Sequence, residues 1–304
     1  MKLSIITINY NNAEGLCKTL ASVAAQTYEH VEHIIVDGGS TDKSVDVIKE
    51  YVRQVESGKW KVESVIWSSE KDNGVYHAMN KGIEIALGRR VVNSFNRSEL
   101  VEDKNKVLPD FIQILNSGDL LAAPDVTERM IAALPDGVAI LYGNMLKSYD
   151  GKTIINKDAC GGAGATESFL YFYKGTLNHD CAYIRRDLFD KYGLYNEEMK
   201  ICSDWEWYVK AIALGGEKPI YTNIDVTIFD MNGVSELHGK NAEMIKKERR
   251  EYLEKILPAA VLHDYDAFSF PILQYQRLKK HHVWGLVYFM ERVLFKLEKW
   301  HILR

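Results

Sequence analysis

The sequence of 304 residues contains only four cysteines and no long apolar run. The cysteines, Cys17, Cys160, Cys181 and Cys202, form no CxxC pair, which disfavours a zinc ribbon or a thioredoxin-like motif. Scattered cysteines in a chain of this length are typical of a reducing compartment. No segment reaches the roughly 18 apolar residues needed to cross a bilayer, and the initial MKLSIITINYNN is too short an apolar run for a signal peptide. We therefore expect a cytoplasmic protein.

The chain also lacks the common phosphate-binding motifs and an excess of positive charge. No GxxxxGKS/T occurs, which excludes a P-loop, and no GxGxxG follows the first apolar segment, which disfavours a dinucleotide-binding fold. The formal net charge of -4 argues against a general nucleic-acid-binding protein, so we expect no nucleic-acid partner.

Short apolar segments alternate with segments of helical periodicity through much of the chain. Strands are predicted at 3–8, 31–36, 62–68, 111–115 and 138–142, and helices at 13–26, 45–52, 75–87, 126–134, 187–192 and 203–214. This alternation is typical of a mainly parallel sheet with helices on both faces, which places the chain in the α/β class.

Two segments interrupt this pattern, and the end of the chain departs from it. Residues 93–108 are polar and weakly periodic, which predicts an inserted surface loop with room for a short helix, and residues 157–176 are Gly-rich and irregular. From Glu243 onward the chain is predicted to be helical, with breaks near Pro258 and Pro271. We therefore expect an α/β domain over 1–240 and a helical extension over 241–304.

Polar side chains follow three of the predicted strands at the point where each ends. Asn9 and Asn11 follow the first strand, Asp37 follows the second, and Asn116 and Asp119 follow the strand at 111–115. Ligands of open parallel sheets lie just outside the carboxyl ends of the strands, so these groups are candidates to line one cleft. Each of them also suits an ordinary turn or helix cap, because Asn and Asp favour such positions. Asp119 follows a small, flexible Ser-Gly. A carboxylate in that position suits a hard divalent cation, which binds oxygen ligands from the protein and from substrate phosphates.

Six segments, in this order, resemble the family 2 glycosyltransferases with the GT-A fold. They are SIITINYNN (4–12), HIIVDGGSTDKS (33–44), SEKDNGVYHAMNKGI (69–83), LNSGDLL (115–121), HDCAYIRRDLFDKYGLYNE (179–197) and SDWEWYVKAI (203–212). The resemblance implies a mainly parallel mixed sheet flanked by helices. It also implies an inverting enzyme that moves a sugar from a nucleotide-diphospho-sugar, with a UDP-sugar expected, to a saccharide or lipid-linked acceptor in cell-surface polysaccharide biosynthesis.

The resemblance assigns the nucleotide pocket to residues near the first three strands. Asn9, Tyr10 and Asp37 are implied to hold the base and ribose, and Asp72 belongs to the same pocket. The glycines at 38 and 39 would then let the backbone approach the nucleoside.

The acidic motif that carries the metal in this family falls on residues 116–119. Asp119 is the implied ligand of Mg²⁺ or Mn²⁺, with Asn116 and Gly118 beside the nucleotide-sugar. The chain departs from the family here, because two adjacent acids are common at this place and Gly118 stands where the first of them is expected. One carboxylate is therefore missing.

The resemblance assigns the catalytic base to Asp204, since a carboxylate within hydrogen-bond reach of an acceptor hydroxyl is a suitable general base. An acid at a helix start is also explained by the helix macrodipole. Glu206 is a rival base on a different side of the helix, and Trp205 suits either the core or a sugar-stacking contact. His179 is either a contact to the acceptor or diphosphate or a buried, hydrogen-bonded histidine.

The last part of the chain is basic and amphipathic. Residues 277–304 hold seven Lys or Arg against two acids, a net charge of +5, which leaves -9 for the remainder of a chain whose total is -4. A basic helix with aromatic residues can lie in an anionic membrane interface, which would suit a lipid-linked acceptor at the inner face of the cell membrane. The alternative is a helix that packs on the catalytic domain or on a second subunit.

Two other functions stay open on sequence grounds. A nucleotidyltransferase needs a Gly-rich, basic loop directly after the first strand, and NYNNAEG lacks the basic residue. A non-catalytic protein that binds carbohydrate or nucleotide-sugar on the same fold would fit the glycine at position 118.

Overall fold

The computed structural model describes residues 1–160, 162, 164–231 and 240–299. The strands are β1 (Leu3–Asn9), β2 (Val31–Asp37), β3 (Ser64–Ser69), β4 (Val91–Val92), β5 (Ser98–Glu99), β6 (Phe111–Ile114), β7 (Leu120–Leu121), β8 (Ile140–Ser148), β9 (Asn156–Asp158), β10 (Ala182–Arg185) and β11 (Ile220–Asp230). The helices are α1 (Ala13–Ala24), α2 (Ser44–Glu56), α3 (Val75–Ala86), α4 (Val126–Ala132), α5 (Phe169–Lys174), α6 (Asp187–Tyr192), α7 (Ser203–Tyr208), α8 (Lys240–Ile256), α9 (Ala259–Lys280) and α10 (Trp284–Lys299).

Nine strands form one mixed sheet in the order β3-β2-β1-β6-β10-β8-β11-β7, with β9 paired to β8. Strands β3, β2, β1 and β6 are parallel neighbours, whereas β10 runs antiparallel to both β6 and β8. The parallel half carries the short apolar segments that predicted it. Its carboxyl ends lie along one edge, as the sequence pattern required.

The core explains why buried and exposed positions do not alternate along the first two strands. All seven residues of β1 and all seven of β2 are buried, since helices cover the sheet. Helices α1 and α2 contribute Leu16, Leu20 and Ile48 to one cluster that also contains Ile35 of β2. Helix α3 packs closely on β1 at Gly82, where a Cβ would lie 2.3 Å from Cγ2 of Ile6.

The α/β class is confirmed, and several predicted boundaries are corrected. Strand β3 begins at residue 64 instead of 62. Strand β8 continues to residue 148, because the buried, polar Asn144 finds hydrogen-bond partners within the sheet. Its Oδ1 accepts from Tyr221 Oη at 2.7 Å, and its Nδ2 donates to Asp225 Oδ1 at 2.8 Å. Strands β7 and β11 were not predicted. The segment 93–108 contributes β5 to a two-stranded hairpin with β4, and no helix lies within it.

The segment 157–176 is less irregular than predicted, because α5 lies within it. Ser168 caps this helix by accepting from the backbone N–H of Leu170, and Leu170 and Phe172 are buried. Gly161 and Ala163 of this segment lie outside the described residues.

The chain divides into two compact units, Met1–Arg249 and Arg250–Arg304. The predicted break at Pro258 is present between α8 and α9, but α9 continues through Pro271 and ends at Lys280. Helix α10 has no buried residue, and in the described part of the chain no helix is long and apolar enough to cross a membrane. The end of the predicted basic tail, 300–304, lies outside the described residues.

Candidate functional site

The carboxyl ends of β1 and β6 open into a cavity of about 610 Å³. This volume lies within the range of about 300–1,000 Å³ that small-molecule sites occupy. The predicted residues on its wall are Asn9, Tyr10, Asp72, Asn116 and Asp119. The structure therefore brings together residues from separate sequence segments, as the strand-end pattern indicated. Tyr10 is 64% exposed, so its ring is available to a ligand.

Asp37 does not line this cavity among the described residues, which corrects its predicted place on the pocket wall. Its carboxylate is fully buried and accepts four hydrogen bonds. Oδ1 accepts from Asn9 Nδ2 at 2.8 Å and from Ser40 Oγ at 2.5 Å, and Oδ2 accepts from Ser40 N at 3.0 Å and Ser69 Oγ at 2.7 Å. Because these donors fill the acceptor sites of a carboxylate, Asp37 holds the ends of β1, β2 and β3 together and positions Asn9.

The two glycines after Asp37 make room for a neighbouring loop of the protein. A Cβ on Gly38 would lie 2.4 Å from Oδ2 of Asp72, and a Cβ on Gly39 would lie 3.0 Å from the backbone nitrogen of Lys71. Gly39 also adopts a φ of +79°, which favours glycine. The two glycines thus admit the loop that carries Asp72 to the cavity.

His179 links two carboxylates behind the cavity wall. It lies in a short 3-10 turn, His179–Cys181, just before β10. Its Nε2 lies 2.8 Å from Asp180 Oδ1 and 3.1 Å from Asn116 Nδ2, and its Nδ1 lies 3.3 Å from Asp204 Oδ2. On the other side of Asp204, Tyr76 Oη donates to Oδ1 at 3.0 Å. Asp204 is therefore held from two directions, and Asn116, next to His179, lines the cavity.

The charges in this group follow from its burial and its pairing. Burial alone would lower the pKa of His179, but Asp180 and Asp204 outweigh it and raise that pKa well above its usual value. Burial would raise the pKa of Asp204, but the hydrogen bond and charge of His179 hold it below its usual value. At neutral pH the group is therefore an imidazolium between carboxylates, and Asp204 is ionised. His179 is hydrogen-bonded, and 16% of its side-chain surface is exposed, so its contact with the acceptor or diphosphate stays a prediction.

Asp119 stands in a different electrostatic environment. It is buried, and its Oδ1 accepts from the backbone N–H of Asp230 at 2.9 Å. Burial and the charge of Asp180 raise the pKa of Asp119 well above its usual value. In the ranges that the structure describes, no group of three or more His, Cys, Asp or Glu side chains is arranged to hold a metal.

Trp205 and Glu206 belong to the protein interior, which corrects their predicted contact with an acceptor. Trp205 is 1% exposed, and its indole N–H donates to the carbonyl of Phe172 at 2.7 Å. Glu206 is buried, accepts from Asn196 Nδ2 at 3.0 Å and pairs with Lys210 Nζ at 2.9 Å. Both side chains are committed to partners within the fold, so the role of a rival base does not suit Glu206.

Two residues of the site were not predicted from the sequence. Asp230 ends β11 and lines the cavity, and Tyr76 donates to Asp204 from α3. The signal for Asp230 was present, because an apolar pair followed by an acid also marked the end of β2. Tyr76 has the sequence context of an ordinary core residue of a helix. Gly118 lines a neighbouring cavity of about 280 Å³, and Asp230 lines that cavity as well.

Comparison with known proteins points to one enzyme class. Residues 4–94 match the model of the family described as Glycosyl transferase family 2. An uncharacterised glycosyltransferase of Mycobacterium tuberculosis is 30% identical over 237 residues, which are 76% of each chain. A PGL/p-HBAD biosynthesis glycosyltransferase of Mycobacterium bovis is 26% identical over 212 residues, 69% of each chain.

Solved structures share the fold at low sequence identity. The crystal structure of S. aureus TarS superposes with a TM-score of 0.57 at 17% identity, over 86% of this chain and 41% of TarS. Residues 1–349 of TarS in complex with UDP-GlcNAc give a TM-score of 0.55 at 18% identity, over 86% and 69%. The mannosyltransferase PcManGT of Pyrobaculum calidifontis, in complex with GDP-Man and Mn²⁺, gives 0.54 at 16% identity, over 83% and 61%.

Proposed function

Because this chain belongs to glycosyl transferase family 2 and has the GT-A fold of its solved neighbours, we propose that it is an inverting glycosyltransferase that uses a UDP-sugar. The proposed acceptor is a saccharide or a lipid-linked saccharide of the cell envelope. The observation that carries this proposal is the cavity at the strand ends together with the ionised Asp204 behind it, held by His179 and Tyr76.

The donor would lie in the cavity of about 610 Å³. Asn9, Tyr10 and Asp72 supply an amide, an exposed ring and a carboxylate on the side of β1, which suit a base and a ribose. Asp37 acts on this pocket indirectly, since it fixes the amide of Asn9. UDP-GlcNAc bound to residues 1–349 of TarS supports a uridine donor on this fold.

Asp204 is the proposed base because it is both ionised and accessible. Its side chain keeps 14% of its surface exposed, whereas the side chain of Asp180 keeps 3%. Asp204 would take the proton of the acceptor hydroxyl as the hydroxyl oxygen bonds to the anomeric carbon. The bond from that carbon to the diphosphate breaks in the same displacement, so the configuration at the anomeric carbon inverts.

The residues at the end of β6 suit a divalent cation. Asp119 places a carboxylate on the cavity wall, and oxygen ligands are those that Mg²⁺ and Mn²⁺ prefer. When bound there, either ion would offset the charge that develops on the leaving diphosphate. The Mn²⁺ in PcManGT supports this assignment on the same fold.

We also propose that α10 contacts an anionic membrane surface. Leu286, Phe289 and Met290 are each more than half exposed and lie on one face of the helix, and Arg292 and Lys296 lie on the same helix. The relative named for PGL/p-HBAD biosynthesis is compatible with a cell-envelope acceptor. Replacing the three apolar residues by serine should release the protein from vesicles of anionic lipid. Unchanged binding of that variant would exclude this surface.

A thermal-shift experiment with nucleotides tests the donor site. We expect UDP with Mn²⁺ to raise the melting temperature more than GDP or CDP with Mn²⁺, because the proposed donor is a UDP-sugar. A ligand present at 100 times its dissociation constant stabilises the folded protein by about 2.7 kcal/mol. Asp72→Ala should lose the shift, and Asp46→Ala, an exposed acid of α2, should keep it. Equal responses to all three nucleotides would contradict the uridine preference, and no response to any would contradict the donor site.

A transfer assay separates catalysis from binding. Nucleotide binding without release of UDP, for any saccharide or lipid-linked acceptor supplied, would favour the non-catalytic alternative. UDP release that depends on acceptor would support the transferase.

A further inference from the structure

The acid that is missing at position 118 has a counterpart elsewhere in the fold. Asp230 is the last residue of β11, which pairs antiparallel with β7 through Ile228 opposite Leu120. Strand β7 begins directly after Asp119. This pairing carries the end of β11 back to the metal motif, and the backbone N–H of Asp230 donates to Oδ1 of Asp119 at 2.9 Å.

The side chain of Asp230 lies next to the space that a side chain at position 118 would enter. A Cβ built on Gly118 would lie 3.4 Å from Oδ2 and 3.6 Å from Cβ of Asp230. Gly118 also has a φ of +110°, a conformation that L-residues rarely adopt, so the loop as it stands is built for glycine. The fold therefore leaves this position without a side chain and brings a carboxylate to it from another strand.

Asp119 and Asp230 line the same cavity, in which the diphosphate of the donor is proposed to lie. We propose that Asp230 supplies the second carboxylate of the divalent-cation site, in place of an acid at position 118. This inference rests on the proposed function, because it assigns a residue to the cation of the same donor site.

Two carboxylates leave most of the coordination shell of Mg²⁺ or Mn²⁺ to other ligands, and no third acidic, His or Cys side chain joins them within the described ranges. The diphosphate and water would complete the shell. The cation should therefore bind more tightly to the protein with UDP than to the protein alone.

Titration with Mn²⁺ followed by electron paramagnetic resonance tests this assignment without any turnover. We expect the full-length protein to bind Mn²⁺ more tightly in the presence of saturating UDP. Asp230→Asn should weaken that binding at least about tenfold, since loss of even an outer-shell partner commonly costs 10–100-fold in metal affinity. Asp230→Glu, which keeps the charge, should retain more of the affinity. The matched control is Glu14→Gln, a nearby exposed acid on the neighbouring cavity.

The outcomes separate this inference from the proposed function. The backbone hydrogen bond to Asp119 does not depend on the side chain at 230, so the variants should fold, and their melting temperatures check this. If Asp230→Asn binds Mn²⁺ and UDP as the unaltered protein does, the inference is overturned and the donor site stands. If the unaltered protein binds UDP but no Mn²⁺, the inference is overturned as well. If it binds no UDP at all, the proposed function fails first.

Discussion

Replacing His179 by glutamine should destabilise the protein strongly, because the imidazolium lies between Asp180, which is buried, and Asp204, which is largely buried. His179→Gln leaves Asp180 and Asp204 without the positive charge that lies 2.8 Å and 3.3 Å from them. Removing one partner of a buried ion pair costs about 3–5 kcal/mol. At about 2–4 °C per kcal/mol for a unit of this size, the melting temperature should fall by on the order of 10 °C.

The pH dependence gives this prediction a sign. The pKa of His179 is raised in the folded state, so its contribution is complete below the ordinary value of 6.5 and is lost as the pH rises through the folded value. The pKa of Asp204 is lowered, so its contribution is present above the ordinary value of 3.8 and is lost as the pH falls. The difference between the unaltered protein and His179→Gln should therefore be largest between these two ordinary values and should shrink in stronger acid.

Melting curves recorded across this pH range measure the effect. His179→Gln/Asp180→Asn should recover part of the loss, because it removes one of the two uncompensated charges. If His179→Gln and the unaltered protein melt at the same temperature at about pH 5–6, between those two ordinary pKa values, the proposed charge pairing is wrong. It is also wrong if adding Asp180→Asn to His179→Gln lowers the melting temperature further.

Two further predictions concern glycines at close approaches. Gly38→Ala should push away the carboxylate of Asp72, which lies 2.4 Å from the added Cβ, and should weaken UDP binding in calorimetry. Asp72→Ala in the same chain should remove any further effect of Gly38→Ala, and additive losses would contradict this contact. Gly82→Ala should destabilise by about 1–3 kcal/mol in denaturant titration, since its Cβ meets Ile6 at 2.3 Å. Gly285→Ala, where nothing lies within 4 Å, should not, and equal effects of the two substitutions would contradict the packing argument.

The parallel half of the fold could be predicted because its signals are local. An apolar run followed at once by a polar residue marks the ends of β1, β2 and β6, and the parallel order then brings Asn9, Asn116 and Asp119 to one cavity. No knowledge of a partner strand is needed to read such a pattern.

The other features of the fold and the site could not be predicted, because they depend on contacts with residues far away along the chain. Strand β11 is interrupted by register shifts between Tyr221 and Thr227, which obscures its pattern, and its partners are β8 and β7. Asp37 looked like a ligand contact because the donor from Ser69 that completes its hydrogen bonding comes from β3. The burial of Trp205 is likewise set by Phe172 in a segment that was expected to be irregular.

The role of Asp204 is tested most directly by the turnover and donor affinity of Asp204→Asn, measured together on one preparation with Asp46→Asn as the control. A positioned general base contributes about 10²–10⁴-fold, so kcat for sugar transfer should fall by that factor while the Kd for the UDP-sugar stays unchanged. Transfer by Asp204→Asn at the rate of the unaltered protein would contradict that role.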